Sequence, residues 1–245
     1  MQNIYDDDRF FTGYKELRDT GRGINEAIEQ PAFRGMLPPL DGLTILDLGC
    51  GDGELARWCM DRGAARVVGV DLSARMLQLA RERTADAGIS YVRAGLEQIA
   101  FRPASFDLVT SSFALHYVQD YSAVMRSVEA WLRPGGTLVY SVEHPVCTAQ
   151  VARQGWVADH VGRRLFWALD DYADEGQRQQ RWFVDGVVKF HRTVASLVNG
   201  LTAAGLVIQQ LAEPVPIPEA IRERPDLADD RRRPAVLVAK ARKPV

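Results

Sequence analysis

A chain of 245 residues, 47% hydrophobic and 25% charged, is long enough for one large core or a core with a modest lid, and has the composition of a soluble globular protein. A formal net charge of -2 gives no global attraction to a phosphate backbone, so nucleic acid is not an expected partner. Three cysteines without CxxC spacing argue against a zinc or redox pair; with no apolar run of about 18 residues and an acidic N-terminus (MQNIYDDDRFF), no metal site, membrane span or signal peptide is expected, and the expected setting is cytoplasmic.

Residues 1–39 carry a helical stretch near Ile24 to Leu37 and are read as an N-terminal cover. From residue 43 to 142 short β-branched runs alternate with helical stretches, the pattern of a parallel sheet flanked by helices. Strands are predicted at Thr44 to Leu48, Arg66 to Asp71, Ser90 to Arg93, Phe106 to Ser111 and Thr137 to Glu143. Helices are predicted near Glu54 to Asp61, Ser73 to Ala85 and Ser122 to Leu132, with Ser73 and Ser122 as N-caps and Pro134-Gly135-Gly136 stopping the third helix. The alternation breaks at residues 144–192, rich in aromatic and polar residues, where VDGV at 184–187 reads as a hairpin turn; this segment is expected to be a lid. A helix at Thr193 to Ala204 and strands at Leu206 to Leu211 and Pro234 to Ala241 complete the core, making one domain of residues 1–245 with core segments 40–143 and 193–245. The mixed cluster Asp229 to Arg233 reads as a solvated loop with local ion pairs.

The segment LDLGCGDGELARW, Leu46 to Trp58, ends the first strand in a turn holding Gly49, Gly51 and Gly53 together with Asp47, Asp52 and Glu54. Strand, glycine turn and helix bring backbone amides against a nucleotide. A dinucleotide loop reads GxGxxG, but Glu54 stands where its third glycine would fall, and no Walker lysine is present. So many carboxylates disfavour a pyrophosphate. S-adenosylmethionine meets both objections, having an adenosine, no phosphate, a cationic sulfonium and an ammonium that carboxylates can hold. Asp71, ending the strand VVGVD roughly 20 residues past Gly49, can accept both ribose hydroxyls, or can belong to the cap of the next helix.

Asp47-Leu48-Gly49-Cys50-Gly51-Asp52-Gly53 resembles the first motif of the class I S-adenosylmethionine-dependent methyltransferases, a strand acid followed by GxGxG. The resemblance runs over about residues 43 to 145 through FDLVTSSFALHYV and WLRPGGTLVYSVEHP, and the lid and tail resemble bacterial small-molecule members of the ubiquinone-biosynthesis-like group. It implies an α/β, Rossmann-like doubly wound fold: a mostly parallel seven-stranded sheet with an antiparallel last strand, a lid insertion after strand five and the N-terminal helical cover. It implies Asp47 near the methionine amino group, Gly49, Cys50, Gly51 and Gly53 admitting the cofactor backbone, Asp71 on the ribose and Leu72 against the adenine. Relatives often place Asp after strand three; here YVRAGLEQIAF has Gly95 at that position with Glu97 retained, so adenine contacts are expected from backbone near Gly95 and Leu96. Ser111 closes strand four, and the [DN]PP[YF] of nucleic-acid amino-methyltransferases is absent after it.

Residues just beyond strands four and five are best placed to face a methyl acceptor. That singles out His116 and the Glu143-His144 pair, with His191 after the lid hairpin, as candidate bases; each can equally be a histidine satisfied by protein partners. Arg192, at a helix start, needs an anionic partner, either a protein carboxylate or a substrate group. Substrate contacts are expected from Tyr14, Arg18, Phe113, Tyr117 and Arg192, and Trp156, Phe166, Trp167, Tyr172, Trp182, Phe183 and Phe190 either line a pocket or pack the lid. Trp58 and Phe113 are candidates to face the sulfonium. The expected activity is methyl transfer to a small-molecule acceptor. The alternatives are a non-catalytic S-adenosylmethionine-binding protein and a nicotinamide-dependent oxidoreductase, and a homodimer is left open.

Overall fold

The computed structural model describes residues 2–21, 23–151 and 155–245. In the N-terminal segment lie α1 (Asp8–Asp19) and α2 (Gln30–Met36). The sheet then builds through β1 (Thr44–Leu48), α3 (Glu54–Met60), β2 (Arg66–Asp71), α4 (Ala74–Glu82), β3 (Ile89–Arg93), β4 (Phe106–Ser112), α5 (Tyr121–Trp131) and β5 (Leu132–Glu143). After a short α6 (Pro145–Thr148) come two hairpins, β6 (Trp156–Ala158) with β7 (Arg164–Trp167) and β8 (Gly176–Trp182) with β9 (Val184–His191). The chain ends through α7 (Val194–Ala203), β10 (Val207–Ala212), α8 (Pro218–Glu223) and β11 (Val236–Arg242).

The seven-stranded sheet has the order β10-β11-β5-β4-β1-β2-β3. Only β11 runs antiparallel to its neighbours, as predicted. Its central strands are buried on both faces, β1 reading Ile45, Leu46 and Leu48 at 0% exposure, which is why they appear in the sequence as continuous apolar runs. Strand order reverses between β1 and β4, whose carboxyl ends therefore open a crevice with no crossover above it, the place where open α/β sheets hold ligands.

Several local expectations shift. Ser73 caps α4 by accepting from Met76 N–H (3.1 Å), and Thr193 caps α7, but α5 is capped by Asp120, which accepts from Ala123 N–H (2.8 Å), not by Ser122. Pro134-Gly135-Gly136 lies inside β5, at a register shift where the pairing with β4 passes from Leu132 to Thr137 and Gly135 takes φ +79°. The lid hairpin reverses at Phe183 (φ +59°), one residue ahead of VDGV, whose residues begin β9. The helical stretch near Ile24 divides into a π-helical turn at Asn25–Glu29 followed by α2.

The N-terminal segment and the lid pack on one another. Phe10 of α1, at 0% exposure, meets Val184 and Val187 of β9, with Tyr5, Tyr14, Tyr117 and Trp182 around them. These contacts close a roof over the crevice. Among the described residues no helix is long and apolar enough to cross a membrane, and no group of three or more His, Cys, Asp or Glu side chains is arranged to hold a metal.

Candidate active site

A cavity of about 450 Å³ lies beyond the carboxyl ends of β1, β2 and β4. Gly49, Cys50, Gly51, Asp47, Asp71, Leu72, Met76, Ala94 and Leu96 line one end. The glycines do different jobs. A Cβ on Gly49 would lie 2.2 Å from Ala114 Cβ, and one on Gly53 2.1 Å from the Tyr91 hydroxyl, so both allow protein to approach protein; Gly53, the left-handed N-cap of α3, does not line the cavity. Gly51 (φ +53°) borders the open space and is fixed by donating its N–H to Asp71 Oδ2 (2.9 Å).

The carboxylates also divide. Asp52 and Glu54 are neutralised by arginine: Arg83 pairs with Asp52, while Arg18 and Arg34 reach Glu54 at 2.6 and 2.9 Å. The charge argument from sequence therefore rests on Asp47 and Asp71 alone. Asp52 Oδ1 accepts from Glu54 N–H at the mouth of α3 (3.4 Å), the place where a helix start would receive a phosphate. Asp47, 2% exposed, takes one bond on Oδ1 from the Thr110 hydroxyl (3.0 Å), and its Oδ2 is buried without a partner. Burial, with Asp71 and Glu29 nearby, pushes its carboxyl up to about 7 against the Thr110 bond. An orphaned acceptor of this kind at a cavity wall asks for a cation. Asp71 is raised by burial against the Ser73, Gly51 and Leu72 N–H groups that it faces; Ser73 N–H donates to its other oxygen (2.9 Å), so it braces the loop and the start of α4 at once.

The N-terminal segment completes this end. Gln30 and Arg34, four apart on α2 and so on one face, both line the cavity. Gln30 Nε2 donates to Glu29 (2.6 Å), which leaves its Oε1 buried and unpartnered; Arg34 Nε is likewise buried without a partner. Glu29, at 0% exposure, also accepts from the Ser112 and Ser141 hydroxyls (2.9 and 2.7 Å) and is pushed up by burial. Two free acceptors, Asp47 Oδ2 and Gln30 Oε1, and one free donor thus face the same space. That donor set matches a zwitterionic amino-acid group: an ammonium for the acceptors, a carboxylate for the guanidinium. With Asp71 and Leu72 further along the wall, the residues present fit S-adenosylmethionine.

Another part of the lining is aromatic. Tyr5, Tyr14, Tyr117, Phe113 and Trp182 line it, with the Tyr5 and Tyr117 hydroxyls 3.5 Å apart and the Tyr5 and Tyr14 rings edge-on at 5.0 Å. Burial raises all three tyrosine hydroxyls, so they stay neutral donors. Phe113 is held at φ +50° by donating its N–H to Ser141 O and Oγ (3.1 Å each). His116 and Glu143 complete this wall. Glu143 N–H donates to His116 Nδ1 (3.4 Å), leaving the ring proton on Nε2, and burial pushes His116 down to about 3 in spite of Glu143. Glu143 Oε1 pairs with Lys189 of β9 (2.5 Å), a lysine only 2% exposed. Burial would raise the Glu143 carboxyl; Lys189, His116 and Arg233 outweigh it and hold it below the usual range.

Several predicted site residues lie elsewhere. His144 Nε2 is 2.8 Å from Glu213 and its Nδ1 accepts from Val146 N–H, capping α6; His191 is enclosed between the Thr148 hydroxyl (2.8 Å) and Tyr172 O (3.0 Å). Neither lines the cavity. Arg192 is satisfied by three carbonyls, Val118 O (2.6 Å), Gln119 O (2.7 Å) and Phe190 O (3.4 Å), and not by a carboxylate. Ser111 donates to Leu48 O inside the sheet, Glu97 accepts from Asp120 N–H beside the α5 cap, and the Gly95 carbonyl closes a turn onto Gln98 and Ile99 N–H. Trp58 packs between the Arg34 and Arg62 guanidiniums. Of the lid aromatics only Trp182 reaches the cavity; Trp156 and Trp167 pack together and against arginines, and Phe166 is 56% exposed. Gln30 and Arg34 have no place in the motif reading, in which Glu143 stands beside His144 as a candidate beyond strand five. The one sequence signal for the first two is their i, i+4 spacing on a segment already assigned as cover.

A doubly wound sheet with a glycine loop at its switch point, a strand-end acid at β2 and an amino-acid-shaped donor set define a class I methyltransferase site. The family model for a methyltransferase domain matches residues 46–140. An uncharacterized protein of Haemophilus influenzae is 35% identical over 98% of this chain and 97% of its own length, and a ubiquinone biosynthesis O-methyltransferase of Idiomarina loihiensis is 31% identical over 70% of this chain and 68% of its own. A crystal structure of an S-adenosylmethionine-dependent methyltransferase from Mesorhizobium loti superposes with a TM-score of 0.84 at 46% identity, covering 90% of this chain and all of that one. The chain belongs to the S-adenosylmethionine-dependent methyltransferases.

Proposed function

We propose that this methyltransferase acts on a small molecule enclosed at the aromatic end of the cavity, with residues 1–245 working as one domain in the cytoplasm. The observation that carries the reading is the roof. Phe10, Tyr5 and Tyr14 from the N-terminal segment meet Val187 and Trp182 from the lid, so the aromatic wall is built from both, around a cavity whose whole volume of about 450 Å³ is in the range of small-ligand sites. The curated ubiquinone O-methyltransferase relative acts in keeping with such a pocket.

When bound, S-adenosylmethionine supplies a methyl group on a positively charged sulfur. In this proposal Asp47 and Gln30 hold the ammonium, Arg34 takes the carboxylate, Asp71 accepts from the ribose hydroxyls and Leu72 and Leu96 enclose the adenine. Phe113, fixed in its left-handed conformation, turns the chain from β4 so that Ala114, His116 and Tyr117 face the space in front of the loop. These residues align acceptor and donor and exclude water, and positioning of this kind accounts for much of the rate of a displacement with a neutral leaving group.

The test uses donor labelled in its methyl group, purified protein and a fractionated metabolite extract. Protein-dependent label is expected in a small molecule other than the donor; transferred label confined to the protein or nucleic-acid fraction would contradict the proposal.

A further inference from the structure

His116 and Glu143 differ from the other polar residues around them in what they leave unused. Each of His116, His144 and His191 has Nδ1 occupied as an acceptor, but only His116 lines the cavity and has no hydrogen-bond partner on Nε2 among the described residues. Glu143 Oε1 is held by Lys189, and Oε2 makes no hydrogen bond to the described residues, while the side chain remains 26% exposed. A donor and an ionised acceptor stand on adjoining segments, locked by the Glu143 N–H to His116 Nδ1 bond and facing one space.

We propose that Glu143 and His116 together read the methyl acceptor and that Glu143 deprotonates it, so that the acceptor is a molecule with a transferable O–H or ring N–H. The acceptor hydroxyl or N–H donates to Glu143 Oε2 and, for a hydroxyl, accepts from His116 Nε2–H. Tertiary amines and thioethers, which have no proton to give, are excluded. This rests on methyl transfer to a small acceptor as proposed above. As the acceptor atom forms its bond to the methyl carbon, the carbon–sulfur bond breaks and its electron pair returns to sulfur. The acceptor proton, now strongly acidic because its atom carries developing positive charge, passes to Glu143 Oε2 and then to solvent. A carboxylate held low on the pH scale suffices for so acidic a proton. His116, neutral throughout the physiological range, donates and does not act as base.

Lys189 is the positioning residue. Its ammonium comes from the lid, lies 5.2 Å from the Trp182 ring and 6.0 Å from that of Tyr117, and fixes which Glu143 oxygen faces the cavity. The groups that set Glu143 are Lys189 on β9, His116 and Tyr117 after β4, Cys147 on α6 and Arg233 ahead of β11. With His116 neutral, Lys189 and Arg233 favour its ionised form.

The test combines a panel of phenols, enols, ring N–H heterocycles, tertiary amines and thioethers with labelled donor, and calorimetry with S-adenosylhomocysteine. Methylation is expected only among the O–H and N–H compounds. Glu143→Gln should lower kcat by about 100-fold or more with S-adenosylhomocysteine affinity unchanged. Lys189→Met should move the acid limb of kcat/KM to higher pH, a shift that loss of packing alone does not produce. Nitrogen-15 spectra of the S-adenosylhomocysteine complex should show His116 as the Nε2–H tautomer from pH 5 to 8. Full activity of Glu143→Gln, an unmoved acid limb, a titrating or Nδ1–H His116, or no methylation of any O–H or N–H compound while S-adenosylhomocysteine still binds would each overturn the inference. Failure to bind S-adenosylhomocysteine would overturn the cofactor assignment itself.

Discussion

In one part of the cavity wall, the first end, stand atoms without partners, Asp47 Oδ2, Gln30 Oε1 and Arg34 Nε, and in another stand rings that are already packed, Tyr5, Tyr14, Tyr117 and Trp182. The first end carries an electrostatic deficit that a charged ligand of fixed shape removes. The second is satisfied within itself and offers shape, with one donor–acceptor pair for selectivity. The first is shared between β1, through Asp47, and α2 of the N-terminal segment, through Gln30 and Arg34; the second is shared between the start of the chain, the turn after β4 and the lid. This division suits an enzyme whose donor is constant and whose acceptor is particular: the unpartnered polar atoms carry the general task, the packed rings the specific one.

The comparison is broken most severely at Asp47. Asp47→Asn keeps the Thr110 bond and removes the buried charge, so S-adenosylhomocysteine affinity should fall at least about 100-fold by calorimetry. The ligand-free protein should gain roughly 1–3 kcal/mol in denaturant unfolding near pH 8. The sign follows from the raised carboxyl: between its unfolded value near 4 and its native value of about 7 the native state binds the extra proton. The Asp47 contribution therefore opposes folding increasingly as pH rises through that window. A variant that binds normally would remove Asp47 from the ammonium site.

Next in size are the glycines. Gly49→Ala meets Ala114 at 2.2 Å in a left-handed conformation and should cost about 3 kcal/mol or more of stability; Gly51→Ala meets only the flexible end of Met76 at 3.3 Å and should cost roughly 1–2 kcal/mol. Equal losses in thermal unfolding would contradict the different jobs given to the two residues.

Smaller, and sharper, is the effect expected at α2. Gln30→Ala and Arg34→Met should each weaken S-adenosylhomocysteine by about 10-fold while leaving 5′-methylthioadenosine, which lacks the amino-acid end, within about 2-fold of wild type. Parallel losses for both ligands would mean that α2 acts through folding of the N-terminal segment. The smallest effect belongs to the exposed pairs: Arg83→Ala, which frees Asp52, should change stability by less than about 1 kcal/mol.

What the sequence disclosed follows the same division. Periodicity and the Gly49-Gly51-Gly53 turn located the sheet, its switch point and the acids Asp47 and Asp71, because those features are local in the chain. The roof was not legible. Glu143 is paired 46 residues away with Lys189, and Gln30 is oriented by Glu29, whose other partners, Ser112 and Ser141, lie 83 and 112 residues from it. The histidines misled for the same reason: His144 is answered by Glu213, 69 residues on, and His191 by Thr148, 43 residues back, neither of which any local pattern announces. The acidic loop was read more simply than it is built, since Arg83, Arg18 and Arg34 come from three separate helices or their ends to neutralise Asp52 and Glu54.

The central claim, that a buried Asp47 waits for an ammonium, is tested most directly by titrating S-adenosylhomocysteine into the protein at pH 6 in buffers of different ionisation enthalpy. Asp47 is mostly protonated there and must ionise to hold the ligand, so binding should release close to one proton, falling to about none at pH 8.5. Binding with no proton release at either pH, or with proton uptake at pH 6, would contradict it.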